Sequence, residues 1–134
     1  MPEAQEKKTL RKVERLNSLV LIEKLFSGGS KSLPAFPLRI VYMAVNGEDY
    51  PTASYLISVP KKRFKHAVDR NRVKRQVREA IRSHKTILTD ALAGSGQKAV
   101  IAFIWLDNLL HESEEVDGKV KKLFQLAVEK FVKA

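Results

Sequence analysis

Apolar residues that recur every three or four positions predict three helices along the chain. The first covers residues 18–26 and ends before a Gly-Gly pair, which favours a helix stop. The second starts between residues 66 and 70, and residues 85–93 either continue it or form a short helix of their own. The third covers residues 113–133, with an inner side formed by Val116, Val120, Leu123, Ala127 and Phe131.

Three other segments have the composition of strands. Residues 38–45 and 53–59 are rich in β-branched and aromatic side chains, and the Asn-Gly step in residues 46–52 favours a turn between them. We therefore predict that these two strands pair as an antiparallel hairpin. Residues 99–106 are apolar throughout, which is typical of a central strand covered on both faces. The predicted fold is a single-domain α+β sandwich of order α-β-β-α-β-α, with helices packed on a small mixed sheet.

Charge adds a functional feature to this picture. The 134-residue chain has a formal net charge of +10, and residues 61–85 hold eleven of its 25 Lys and Arg side chains but only two acids, Asp69 and Glu79. This segment therefore carries +9, and its helical part divides into two sides. The apolar side is formed by Val73, Val77, Ala80, Ile81 and His84. The cationic side is formed by Asn71, Lys74, Arg75, Arg78, Arg82 and Lys85.

Like charges repel each other along this cationic side. Basic residues lie four positions apart in three consecutive pairs, Arg70–Lys74, Lys74–Arg78 and Arg78–Arg82. Solvated helix faces usually mix signs because such pairs are destabilising. A polyanion, either nucleic acid or anionic lipid, is therefore the expected partner. A membrane surface fits less well, because the Val and Ala stripe lacks the large side chains that insert into lipid.

Composition excludes several other kinds of site. The chain has no cysteine, which rules out disulfides and thiolate metal sites and is compatible with the reducing cytoplasm, where we expect the protein. We expect no metal site, since there are only three histidines, and no membrane partner, since the apolar run at 99–106 is too short to span a bilayer as a helix. No protein partner is indicated. Residues 1–15 are predicted to be a flexible segment and residues 16–134 one RNA-binding domain.

The stretch from residue 58 to residue 82 resembles the signature of the bacterial ribonuclease P protein family. The residues that carry the match, in uninterrupted spacing, are Ser58, Lys61, Lys62, Ala67, Val68, Arg70, Asn71, Arg72, Lys74, Arg75, Arg78 and Glu79. A weaker likeness in the order of elements extends over residues 16–131. The chain departs from the family at Lys65 and His66, where Gly-Asn is common, and at Ile22, where an aromatic residue is common.

The resemblance implies an accessory subunit whose catalyst is a large RNA with its bound Mg²⁺. It implies a left-handed β-α-β connection across the basic helix, and binding to both the catalytic RNA and the 5′ leader of precursor tRNA. The residues expected to bind RNA are Lys61, Lys62, Arg63, Lys65, Arg70, Asn71, Arg72, Lys74, Arg75, Arg78 and Arg82. Phe26 and Tyr42 would line a cleft between the first helix and the sheet, where leader bases stack.

Two other functions remain open from the residues alone. A generic, ribosomal-type RNA-binding protein would also carry such a basic helix. A protein-only nuclease requires clustered carboxylates or a paired acid and base. Asp69 and Glu79 are about 15 Å apart along a helix, and His66 and His84 about five turns apart. We therefore assign no catalytic residue to the protein.

Overall fold

The computed structural model of the chain describes residue 25, residues 30–45 and residues 51–133. Its strands are β1 (Lys31–Ala35), β2 (Leu38–Val45), β3 (Ala53–Ser58) and β4 (Lys98–Trp105). Its helices are α1 (Ala67–Ala93) and α2 (Ser113–Lys133), and a 3₁₀ turn at Lys61–Arg63 precedes α1. Within the first predicted helix only Leu25 is described, and it is helical and buried. The segment predicted to be flexible, residues 1–15, lies outside the described residues.

The four strands form one mixed sheet in the order β1-β2-β4-β3. β2 pairs antiparallel with β1 and β4, whereas β3 pairs parallel with β4, with Tyr55 opposite Ile101. The predicted hairpin between residues 38–45 and 53–59 is therefore wrong, because β4 lies between these two strands. β4 is almost entirely apolar and almost entirely buried. In the central position its backbone forms hydrogen bonds with a strand on each side, and both of its faces are covered.

β1 is a strand that the sequence pattern did not predict. It contains Pro34, which cannot donate to a ladder and which suits an edge strand. Its position at the edge of the sheet, paired only with β2, meets that requirement. A two-residue turn, Phe36–Pro37 with a cis peptide bond, joins it to β2. The main chain of Pro37 also accepts a 2.8 Å hydrogen bond from the amide of Leu106, which fixes this turn beside the end of β4.

The sheet has a buried side chain layer on each face. On one face, alternate residues of the strands pack against α1 and α2 in the larger core, which includes Leu38, Ile40, Tyr55, Ile101, Phe103 and Trp105. On the other face, Leu25 packs with Val41, Val100, Ala102 and Ile104. The predicted α+β sandwich with helices on a small mixed sheet is confirmed, and Trp105 lies in the core as its apolar surroundings indicate. No helix in the described part of the chain is long and apolar enough to cross a membrane.

α1 is continuous over 27 residues, so residues 85–93 extend the basic helix rather than forming a second one. It connects the parallel strands β3 and β4; the hand of this connection stays a prediction. Lys85 was predicted on the cationic side, but only 7% of it is exposed. The prediction is wrong because Lys85 follows Ile81 by four positions and precedes Leu88 and Leu92 on the buried stripe of the same helix.

Candidate nucleic-acid interface

The exposed face of α1 and the segment before it carry the predicted RNA-binding residues. None of the eleven is buried: Lys61, Lys62, Lys65, Asn71, Arg72, Arg75 and Arg78 are exposed, and Arg63, Arg70, Lys74 and Arg82 are partly exposed. The opposite side of the helix holds Val73, Val77, Ala80 and Ile81, all buried as the periodicity predicts. Burial of this apolar stripe therefore fixes which side chains the helix presents to solvent.

Most of the cations on this face are unpaired. In the described part of the chain, no carboxylate pairs with Arg72, Lys74, Arg75 or Arg78. Arg82 is held by Glu79 through hydrogen bonds of 2.9 and 2.7 Å. The face as a whole therefore keeps a strong excess of positive charge, with guanidinium groups free to grip phosphate oxygens in pairs.

Two cations instead hold the entry to α1 in place. Nη1 of Arg70 donates a 2.7 Å hydrogen bond to the main-chain oxygen of Phe64. Nη1 of Arg63 donates a longer one, 3.4 Å, to Oδ1 of Asn108 after the end of β4. Between them the 3₁₀ turn closes through the amide of Arg63 and the oxygen of Pro60, at 3.0 Å. The turn therefore presents Lys61 and Lys62 at the start of the same basic segment.

Gln76 joins α1 to the start of α2, a role that no sequence signal indicated. It is 9% exposed, and its Nε2 donates 3.0 Å hydrogen bonds to the main-chain oxygen of His111 and to Oγ of Ser113. His84, at the edge of the core as predicted, makes a second link through a 2.9 Å contact with Asp117. These contacts set the distance between the two helices and create an open groove of about 970 Å³ beside Arg72 and Arg75.

Tyr42 occupies a different place from the one predicted. It is only 5% exposed and lies on the sheet face that packs against α2, with its ring centroid 5.3 Å from that of Phe131. Leu25, the described residue of the first predicted helix, packs on the opposite face of the sheet. Tyr42 instead lines a smaller pocket of about 290 Å³ with Lys31 and Lys130. Its burial raises the pKa of the phenol. Phe26 lies outside the described residues.

The structure shows the surroundings of the residues considered for a protein nuclease. No three His, Cys, Asp or Glu side chains among them are grouped to hold a metal ion. Glu79 is engaged by Arg82 and His84 by Asp117. His66 is exposed at the N-cap of α1, and its side chain makes no capping hydrogen bond. The interface is therefore suited to binding a polyanion.

Comparison with known proteins agrees with the residue signature. The family model described as Ribonuclease P matches residues 10–127. The ribonuclease P protein component of Porphyromonas gingivalis is 41% identical over 113 residues, which are 84% of this chain and 82% of the relative. A solved ribonuclease P protein from Thermotoga maritima superposes with a TM-score of 0.65 at 25% identity, over 84% of this chain and 96% of that one.

A second solved structure, a Staphylococcus aureus ribonuclease P protein mutant with defective mRNA degradation activity, has the same fold. It superposes with a TM-score of 0.67 at 19% identity, covering 87% of this chain and 89% of the other. The family model spans most of the chain, and the relative from Porphyromonas gingivalis is similar over nearly its whole length. The chain therefore belongs to the ribonuclease P protein family.

Proposed function

We propose that the exposed face of α1 lies against the catalytic RNA of ribonuclease P and that a separate pocket beside Tyr42 receives the 5′ leader of precursor tRNA. As a ribonuclease P protein component, the chain is an accessory subunit of the endoribonuclease that matures the 5′ ends of tRNA. The protein component works with the ribonuclease P RNA. The contacts with that RNA and with the leader are our proposal.

One observation carries this proposal. Arg72, Lys74, Arg75 and Arg78 project from one exposed face, and no carboxylate in the described part of the chain neutralises them. An unpaired cationic face of this size is costly in the free protein, and phosphates of a folded RNA relieve that repulsion. Lys61 and Lys62 extend the same surface toward β3, so the RNA contact covers both the turn and the helix.

The leader site rests on the pocket beside Tyr42. Lys31 and Lys130 lie at this pocket together with Tyr42 and Phe131, so cations and aromatic rings meet in one place. Single-stranded nucleic acids bind such combinations through stacking and phosphate contacts. Because the ring of Tyr42 is largely covered, we propose that a leader nucleotide contacts only the exposed edge of this ring. The phosphates of the leader would bind Lys31 and Lys130.

The remaining parts of the proposal concern chemistry and location. Bond cleavage belongs to the catalytic RNA with its Mg²⁺, and the protein supplies phosphate neutralisation and leader binding. We also propose that the protein acts in the cytoplasm, where precursor tRNA is made.

Reconstitution tests the function directly. The purified protein is added to the host's candidate catalytic RNA and to precursor tRNAs that carry leaders of different lengths. We expect no cleavage by the protein alone, faster cleavage when it joins the RNA, and a larger gain for substrates with longer leaders. Cleavage by the RNA-free protein would favour the nuclease function. No enhancement with any such RNA would favour a generic RNA-binding protein.

A further inference from the structure

The groove between α1 and the start of α2 has two walls of opposite charge. Arg72 and Arg75 lie on the α1 wall, and Glu114 and Asp117 lie on the α2 wall. In the described part of the chain, no ion pair joins Arg72 or Arg75 to Glu114 or Asp117, and Asp117 pairs instead with His84. A surface built only to neutralise phosphates would not place carboxylates opposite its arginines, because they repel the ligand.

The floor of the groove adds a polar atom without a partner. Gln76 lines the groove and is 9% exposed. Its Nε2 is used by His111 and Ser113, but no group in the described part of the chain satisfies its buried Oε1. An unsatisfied buried acceptor is uncommon in native proteins, so the base of this groove has an unmet hydrogen-bond acceptor.

The carboxylates that line the groove are not all equally available. Glu79, on α1, is engaged by Arg82 at 2.7 Å. On α2, one oxygen of Asp117 lies 2.9 Å from Nε2 of His84. Glu114 is exposed, and no described residue pairs with it. The groove therefore offers one free carboxylate opposite two free guanidinium groups.

Among the four RNA bases, guanine has the complementary set of groups. Its O6 and N7 are adjacent acceptors, which a guanidinium binds in a bidentate manner. Its N1–H and N2–H₂ are adjacent donors on another edge, which a carboxylate can accept together. Adenine has an amino donor beside N7, so a guanidinium on that edge would face another hydrogen-bond donor. Two arginines and a free carboxylate that line one groove thus match the two edges of guanine.

We infer that this groove binds an unpaired guanine of the RNA, with Arg72 or Arg75 on its O6 and N7 edge and Glu114 on its N1 and N2 edge. The inference rests on the proposed RNA-binding function of the same face. Phosphate contacts carry no sequence information, so a guanine site would add base selectivity to a surface whose other proposed contacts are with phosphates.

Fluorescence anisotropy with short labelled RNAs tests this assignment. The probes are single-stranded oligouridines that contain one central guanosine, inosine, 7-deazaguanosine or adenosine. Inosine lacks the N2 amino group and 7-deazaguanosine lacks N7, so each removes one half of the recognition. We expect the guanosine probe to bind on the order of tenfold more tightly than each of the others.

Two variants separate the two edges of the base. Glu114→Gln removes the carboxylate, so the preference for guanosine over inosine should disappear, even if overall affinity rises. Arg75→Lys together with Arg72→Lys keeps the charge but loses the bidentate fork, so the preference over 7-deazaguanosine should disappear. Glu129→Gln, an equal change of charge at an exposed site farther along α2, should preserve both preferences. Melting curves show whether each variant is folded.

The outcomes distinguish this inference from the function on which it rests. Equal affinity of the wild-type protein for all four probes, with a normal salt dependence, would overturn the guanine site and leave the proposed RNA-binding function intact. Failure to bind any probe, or the catalytic RNA, would overturn both.

Discussion

At the scale of single residues, the basic side chains of this protein have different tasks. Arg70 and Arg63 are used within the fold, through hydrogen bonds to Phe64 and Asn108. Arg72 and Arg75 have no carboxylate partner among the described residues and lie beside the groove. The sequence signature includes Arg70 and Arg72 alike. Only their contacts show that replacing Arg70 would disturb the start of α1, whereas replacing Arg72 would change the surface alone.

Arg72→Ala and Arg75→Ala should each weaken RNA binding without changing the melting temperature. Each removes a cation that neutralises RNA phosphate, so the slope of log K against log salt should fall by about one. Filter binding or anisotropy over a series of salt concentrations measures the slope. Lys121→Ala is the matched control, because it removes one exposed charge from the outer side of α2. An unchanged slope for both arginine variants would show that this face does not contact RNA.

His111 is a second residue whose environment the sequence did not reveal. Its Nε2 lies 2.6 Å from Asp107 and its Nδ1 lies 3.0 Å from Glu115, while the ring of Trp105 meets it edge-on at 5.4 Å. The hydrogen bond to Asp107 raises the pKa of His111 above its ordinary 6.5, with Glu115 adding to the rise and burial opposing it. The same hydrogen bond lowers the pKa of Asp107.

The protonated form of His111 should therefore stabilise the fold. Because its pKa is raised in the folded state, this contribution is fully present below 6.5, the ordinary pKa, and is lost as the pH rises through the folded value. The difference in urea midpoint between the wild type and His111→Asn should thus shrink between about pH 6 and about pH 9. A difference that does not change with pH would show that the imidazolium adds no stability.

At the scale of elements, α1 combines a stabilising side with a binding side. Val73 and Val77 are fully buried against the sheet and α2, and Arg75, between them in sequence, is exposed. The helix therefore cannot rotate to change its exposed face without burying cations. This coupling predicts opposite effects for charge introduced on the two sides.

Val77→Asp should unfold the domain, and Arg75→Asp should not. An uncompensated buried charge costs about 3–5 kcal/mol, a large part of the stability of an ordinary domain. The carboxylate at position 75 remains in water and relieves repulsion within the helix, but it should abolish RNA binding. Circular dichroism melting and anisotropy measure the two properties. A normal melting curve for Val77→Asp would mean that the buried side of α1 is assigned incorrectly.

At the scale of the whole molecule, the sheet places the RNA-binding features at separate positions. The basic turn follows β3, α1 crosses to β4, and the groove forms only where the start of α2 meets the middle of α1. The pocket beside Tyr42 lies elsewhere, where β2 meets the end of α2 and residue Gln97. The cationic face of α1 and the proposed leader pocket therefore do not share residues.

The sequence alone predicted β2, β3, β4, α1 and α2 and, apart from Lys85, the exposed side of α1, because both depend on local periodicity. Val73, Val77 and Ile81 share one face of a helix by spacing alone, so packing on that side of the helix buries all three together. The family signature likewise depends on residue order. The match of predicted and observed α2, residues 113–133, has the same origin.

Only the tertiary structure decided strand order, the place of Tyr42 and the existence of the groove. Strand pairing depends on segments that are distant in sequence. Local turn signals predicted that β2 pairs with β3, but β4 lies between these two strands. The groove depends on Gln76 meeting Ser113, residues 37 positions apart, which no periodicity can indicate. Local patterns thus specify which side of an element is buried, whereas long-range packing specifies its neighbours.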